Sequence, residues 1–349
     1  MKILITGNLG YVGPGVVSRL RETYPDAELV GYDTGFFANC LTNTTFLPEV
    51  KLNHQIFGDV RNFDPNLLNN VDSIVYLAAI SNDPMGNRFE DVTMDVNYKA
   101  AVKMAAAGKE KGVRSFVFAS SCSVYGEADD NAKMETDKLN PLTAYARSKI
   151  AAEKELEPLA GSNFTVTCLR FATACGISNR LRLDLVVNDF VAGAVSSKRI
   201  DILSDGSPWR PLINVLDMAR AIDWAILRKP ELGGNFLAIN TGSNEWNYQV
   251  KELAEIVAQV VDGCIVTVNA DAPPDKRSYK VNFDLYKKMA PNHQPVFSLK
   301  PTITALYDSL IKMGFNDPKF RESNLMRLNV INQLKQNKLL DNDLYWNWK

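Results

Sequence analysis

The chain is poor in the residues that bind metals and staple small secreted folds. Its 349 residues include 2 histidines, His54 and His293, and 5 cysteines, Cys40, Cys122, Cys168, Cys175 and Cys264. The histidines stand far apart, no Cys-x-x-Cys pair occurs, and the cysteines are odd in number and scattered. Neither a zinc site nor a disulfide framework finds the spacing it needs, so no metal is expected. No uninterrupted apolar run reaches the ~18 residues of a membrane span. The start, MKILITG, runs from a short strand into glycine and lacks the charged, apolar and cleavage regions of a leader. Charge is balanced, Lys+Arg 39 against Asp+Glu 40, with no basic block to hold a nucleic acid. These absences lead us to expect a cytoplasmic protein without membrane or nucleic-acid partners. Its length allows two domains.

What is present is alternation. Short β-branched apolar runs at 2–6, 28–32, 54–57, 73–77, 115–119 and 165–169 read as strands, and 11–21, 98–111 and 144–159 as helices between some of them. The order predicts an α/β fold, a doubly wound parallel sheet with helices on both faces. After Arg170 the pattern loosens. Helices are predicted at 185–195, 215–227, 248–261 and 302–313, separated by loops carrying Pro208, Pro211, Pro273 and Pro274. We expect a first domain over 1–170 and a smaller C-terminal substrate lobe from 171–211 and 246–349, with about 212–245 returning to the first domain. The polar C-terminus, ending LYWNWK, fits either a docked helical tail or a frayed end.

The turn TGNLGYVG follows the first strand and opens a helix. Gly7, Gly10 and Gly13 form G-x-x-G-x-x-G, a variant of the dinucleotide fingerprint of Rossmann-type sheets. Glycine lets backbone N–H groups approach a pyrophosphate at a helix N-terminus. Leu9, Tyr11 and Val12 belong to the same turn. Asp33 ends the second strand about twenty residues on, where a carboxylate meets the ribose hydroxyls. Its charge repels a 2′-phosphate and TGFFANC supplies no arginine to offset it, so NAD is favoured over NADP. Asp59, in Gly58-Asp59-Val60, is read either as meeting the adenine edge or as a helix cap.

Tyr145 and Lys149, in PLTAYARSK, form Tyr-x-x-x-Lys downstream of that turn. A second such spacing, Tyr345 to Lys349, has no catalytic setting around it. With TGNLGYVG, YLAA at 76–79, Asn97 in DVNYKAA, ASSCSVYG at 119–126 and SDGSPWRPLINVLDMARA at 204–221, the chain resembles the extended short-chain dehydrogenase/reductase family, the NAD-dependent sugar-nucleotide epimerases and dehydratases. The resemblance covers roughly residues 1 to 310. It implies Tyr145 as general acid/base, with Lys149 lowering its pKa and holding the nicotinamide ribose. A free phenol titrates near ~10, and an adjacent ammonium favours the phenolate. It implies Ser121 as hydrogen-bond partner of the reacting hydroxyl or carbonyl. Asp59, Val60, Leu77, Ala78 and Ala79 would line the cofactor, and Asn97 would tether the site, its plainer reading being a helix N-cap. Ser81, Asn82, Thr173 and Asn188 fall where substrate is contacted. Ser81 and Asn82 read equally as a polar turn. Arg210 and Arg277 match diphosphate-binding arginines. A homodimer through the helices beginning near Tyr98 and Ala144 is implied too.

Absences narrow the reaction. Where the family's dehydratases carry Asp-Glu, this chain has Cys122 and Ser123, and no histidine lies between His54 and His293 to complete a Cys-His pair. Phe171 and Thr173 replace the family's usual asparagine, so the sugar pocket departs from the common pattern. The expectation is an NAD-dependent sugar-nucleotide epimerase working by transient oxidation of a sugar hydroxyl, at C4. The alternatives are a sugar-nucleotide 4-keto reductase or dehydrogenase, or a non-catalytic NAD-sensing regulator. A steroid or flavonoid oxidoreductase would have little use for Arg210 and Arg277.

Overall fold

A computed structural model describes residues 1–127, 131–269, 272 and 277–347. Pro273, Pro274 and Lys349, singled out above, lie outside the described residues. The strands in chain order are β1 (Lys2–Thr6), β2 (Glu28–Asp33), β3 (His54–Phe57), β4 (Ser73–Tyr76), β5 (Ser115–Ser121), β6 (Thr165–Phe171), β7 (Thr173–Cys175), β8 (Arg199–Ile202), β9 (Trp209–Asn214), β10 (Phe236–Thr241), β11 (Asn247–Gln249) and β12 (Ile265–Val268). Seven form one sheet in the order β10-β6-β5-β4-β1-β2-β3, every pair parallel. The order reverses after β1, so the carboxyl ends of β1 and β4 open a crevice there, the usual ligand position of such sheets.

The sheet has a core on each face because its strands alternate. Ile3, Ile5, Val75 and Val117 face one apolar cluster, while Leu4, Ile74, Tyr76, Phe116 and Phe118 face the other. The first is covered by helices Gly13–Thr23 and Val215–Ile226, packed on each other, and the second by Ala100–Glu110 and Ala144–Leu156. All seven residues of β6 are buried, the mark of a strand covered on both faces. β10 is the seventh strand, reached only after the chain has left the sheet at Phe171 and returned.

The smaller lobe holds a three-stranded sheet, β11-β9-β7, and a parallel pair, β12-β8. Several helix expectations shift at their ends, two of them with a visible cause. The one over 98–111 is preceded by a π-helical turn, Asp95–Lys99, and becomes α-helical only at Ala100. The one over 248–261 starts at Val250, because Asn247–Gln249 pairs with β9 instead. At the C-terminus a helix, Arg327–Gln336, docks, placing Ile331, Leu340 and Leu344 against Ile80, Met85, Phe89 and Val92. No described helix is long and apolar enough to cross a membrane.

Candidate active site

At the sheet's reversal lies a cavity of about 570 Å³. It gathers residues from across the chain. At one end are Gly7, Gly10, Tyr11, Val12, Asp33, Asp59, Val60 and the run Leu77, Ala78, Ala79; in the middle are Ser121, Tyr145 and Lys149; at the far end are Ser81, Asn82, Thr173, Arg210 and Arg277. Leu9, Gly13, Asn97 and Asn188 are outside its lining.

The glycine turn is built for close approach. Gly7 has φ +72, and a Cβ there would stand 2.5 Å from Ala78 N, so only glycine leaves the two chain segments in contact. A Cβ on Gly13 would fall 1.9 Å from Asn8 O, which makes Gly13 a packing residue of helix and turn. Leu9 likewise acts through its backbone, donating to Asp33 Oδ2 at 3.0 Å while Gly35 N donates to Oδ1 at 2.7 Å. Burial raises the Asp33 pKa, and these two donors offset it. Asp59 combines both of its readings. It lines the cavity, caps the short 3₁₀ turn Val60–Asn62 through Arg61 N at 2.8 Å, and pairs with the Arg61 guanidinium at 2.6 Å.

Tyr145 and Lys149 lie one turn apart on helix Ala144–Leu156, whose N-cap Thr143 accepts from Ala146 N at 3.2 Å. Lys149 Nζ donates to Ala119 O at 2.7 Å and sits 5.5 Å from the centroid of the Tyr145 ring. Here the expected electrostatics are corrected. Burial pushes the Tyr145 phenol up to about 12, with a Ser121 hydrogen bond opposing, rather than down. Burial likewise lowers Lys149 to about 7, with Glu153 opposing. In the protein alone, removal from water outweighs the mutual help of ammonium and phenolate.

Asn97 is in the π turn, not at an N-cap. Its carboxamide accepts from Ile80 N at 2.8 Å and donates to Ile80 O at 3.0 Å and Ser148 Oγ at 3.1 Å. It thereby ties the loop after β4 to the helix of Tyr145. Asn188 is fully buried and its amide is spent inside the fold, accepting from Gly176 N at 3.0 Å and donating to Arg182 O at 2.9 Å. Ser81 and Asn82 are cavity residues held from behind. Arg182 donates to Ser81 Oγ at 2.8 Å, and Asn82 donates to Asp184 Oδ2 at 2.7 Å while capping Asp83–Arg88. Arg277 is salt-bridged at 2.9 Å to Asp83, which also lines the cavity, and Arg210 donates to Trp209 O at 2.9 Å.

Several cavity residues escaped the sequence reading: Arg182, Asp184, Phe36, Phe37, Arg61, Arg327 and Leu344. The last three bring the C-terminal tail to the cavity end that holds Asp33 and Asp59. Arg61 donates to Asp343 O at 2.6 Å, Trp346 Nε1 donates to Thr34 O at 2.7 Å, and Trp346 meets Phe36 at 5.5 Å between centroids. The aromatics of LYWNWK and the Phe36-Phe37 doublet were the available signal. Arg180 also approaches Asp33, but Glu49 engages its guanidinium at 2.6 and 3.1 Å and it is 1% exposed. It is therefore in no position to receive a 2′-phosphate.

A glycine turn beneath a helix, an acidic strand end and a Tyr–Lys pair meeting in one crevice define a nucleotide-dependent enzyme of the short-chain dehydrogenase/reductase class. Residues 3–242 match the NAD dependent epimerase/dehydratase family, and the chain belongs to it. It is 30% identical over 254 residues to "Uncharacterized UDP-glucose epimerase YtcB" of Bacillus subtilis (strain 168), covering 70% of this chain and 78% of that one. It is 29% identical over 246 residues to the trifunctional UDP-glucose 4,6-dehydratase/UDP-4-keto-6-deoxy-D-glucose 3,5-epimerase/UDP-4-keto-L-rhamnose-reductase RHM2 of Arabidopsis thaliana, matching 66% of this chain but only 36% of that protein. In fold it resembles UDP-glucuronic acid 4-epimerase from Bacillus cereus, solved with UDP-glucuronic acid and NAD, at TM-score 0.74 and 22% identity, covering 89% of this chain and 99% of the other. The chain is thus an NAD-dependent enzyme of the epimerase/dehydratase type.

Proposed function

We propose that the protein is a sugar-nucleotide epimerase that inverts a hydroxyl-bearing carbon, C4, by transient oxidation, with UDP-hexoses as the substrate class. One observation carries this reading: Tyr145 stands with Ser121 and Lys149 in the cavity, and the two positions after Ser121 hold Cys122 and Ser123 rather than a carboxylic acid placed to eliminate water. Cys122 is buried with its thiol turned to Arg170 O at 3.0 Å, and burial pushes that thiol up, away from ionisation. Ser123 Oγ is buried without a hydrogen-bond partner and Ser123 lines the cavity, a hydroxyl for a sugar rather than a carboxylic acid for dehydration. The named activities of the UDP-sugar relatives support the nucleotide.

The residues present fit NAD. Gly7 and Gly10 bare the backbone for a pyrophosphate, Asp33 faces the ribose end, Asp59 and Val60 the adenine end, and Leu77, Ala78 and Ala79 the wall between. NAD, when bound, supplies a hydride acceptor in place, so one protein-held molecule serves oxidation and reduction in turn. The chain's own part is proton transfer and orientation. Ser121 hydrogen-bonds the reacting oxygen, Tyr145 takes the hydroxyl proton and later returns it, and Lys149 in its cationic form favours the phenolate. Arg210 and Arg277 hold the diphosphate. A homodimer through Ala100–Glu110 and Ala144–Leu156 completes the proposal, supported by half-buried Val102, Ala106, Ile150 and Ala151 along those helices; sedimentation velocity tests it.

The test is incubation with UDP-, GDP-, CDP- and dTDP-sugars, resolving products by NMR while following absorbance near ~340 nm, with Tyr145→Phe as control. A new epimer without net NADH, reduced ~10²–10⁴-fold in Tyr145→Phe, is the expected result. Stoichiometric NADH change would move the protein to the dehydrogenases or reductases.

A further inference from the structure

Glu153 stands one helical turn beyond Lys149 and contributes nothing to the cavity lining, yet it is 5% exposed and held from two sides. Arg170 of β6 grips it bidentately, Nη2 at 2.7 Å and Nε at 3.1 Å from both oxygens. Ser120 of β5 donates its hydroxyl to the same carboxylate. The neighbouring residue, Ala119, carries the carbonyl that receives Lys149 Nζ, and the next, Ser121, is the hydrogen-bond partner of Tyr145. Consecutive β5 residues are therefore fixed by one helix: Lys149 on Ala119, Glu153 on Ser120, Tyr145 on Ser121. A buried carboxylate with a full set of partners is costly to build and rigid once built.

We infer that Glu153 is the positioning residue of the reacting trio: through Ser120 and Arg170 it sets the register of β5 against the helix, and it places a carboxylate one turn from the buried Lys149 ammonium. The groups facing this pair are few. Arg170 and Cys168 come from β6, Tyr125 and Glu135 approach Arg170 from the segment after β5, Arg228 lies near Cys168, and Tyr145 shares the helix. Glu153 is the carboxylate among those acting on Lys149. The inference rests on the proposed roles of Tyr145 and Lys149, but its first test needs no substrate.

Denaturant unfolding of the full chain is measured across pH 5–10 for wild type, Glu153→Gln, Lys149→Met and the double variant. Subtracting the Lys149→Met curve isolates the lysine, whose protonation difference between folded and unfolded chain gives a rising slope above its folded pKa. In Glu153→Gln that rise is expected to begin about one pH unit lower, the size of shift one nearby opposite charge produces. An unchanged onset overturns the inference. If Glu153→Gln does not fold because Arg170 is left unpaired, Glu153→Gln/Arg170→Met is read against Arg170→Met as its reference, so that loss of the Arg170 cation cancels. With UDP-glucose as probe, the alkaline limb of the pH–rate profile should move down in step and return in Glu153→Asp. A fall in kcat equal at every pH marks a merely structural residue and sinks the positioning role. Absence of turnover in wild type would count against the epimerase reading alone, since the unfolding result stands independently.

Discussion

The guanidinium carbon of Arg61 lies 3.6 Å from the centroid of the Tyr345 ring, so a residue lining the cavity is roofed by the C-terminal tail. Arg61 pairs with Asp59 on one side and with the tail's Asp343 and Leu344 carbonyls on the other. The Asp59 end of the cavity and the tail share one cation.

Trp346→Ala removes the bond to Thr34 O and the contact with Phe36. It should cost roughly 1–3 kcal/mol of stability and lower the NAD content of the purified protein. Denaturant titration and chromatographic assay of released nucleotide check the two effects, and unchanged NAD content would separate the tail from cofactor retention.

Lys149 gives a pH signature. Its folded pKa is lowered to about 7, chiefly by burial, against the ordinary lysine value of ~10.4 in the unfolded chain. Between these values the unfolded chain binds more protons, so stability rises with pH across that window. Below about 7 both states are protonated and the burial penalty is present in full. The stability of wild type relative to Lys149→Met should climb from about 7 and level near ~10.4, followed by urea unfolding. A flat difference would contradict the burial argument.

Asp83 is ion-paired with Arg277, the arginine proposed to hold the diphosphate. The pair is part exposed, so its loss should cost stability little, about 0–1 kcal/mol. Asp83→Asn should tighten UDP binding and Arg277→Ala weaken it, each by roughly tenfold, or about 1.4 kcal/mol. Isothermal titration with UDP measures both.

Gly13→Ala drives a methyl into the Asn8 carbonyl. An overpacked junction of this kind costs about 1–3 kcal/mol. The thermal midpoint should fall even without nucleotide, because Gly13 packs the turn and does not line the cavity.

The large sheet was legible because β1, β2, β4, β5 and β6 are largely buried runs of β-branched and apolar residues whose periodicity changes to helical between them. The site was legible where a motif dictates backbone, as at Gly7, or where side chains sit at fixed helical spacing, as at Tyr145 and Lys149. What stayed hidden depends on distant partners. Asn188, expected where substrate is contacted, has its carboxamide taken up by Gly176 and Arg182. β7, β11 and β12 are three or four residues long and carry too little pattern. The tail helix is polar in sequence because its anchors, Ile331, Leu340 and Leu344, are sparse and meet a surface made by another segment. The charge states of Tyr145 and Lys149 follow from burial, which spacing does not reveal.

The position of β10 has a consequence for biosynthesis. β6, buried at all seven positions, gains its outer neighbour only when Phe236–Thr241 has left the ribosome, long after β6 itself. Until then a flat apolar edge stands unpaired, an invitation to pair with another nascent chain. A fragment ending near Arg170 would carry that edge permanently and should precipitate, whereas one ending beyond Thr241 would have it covered.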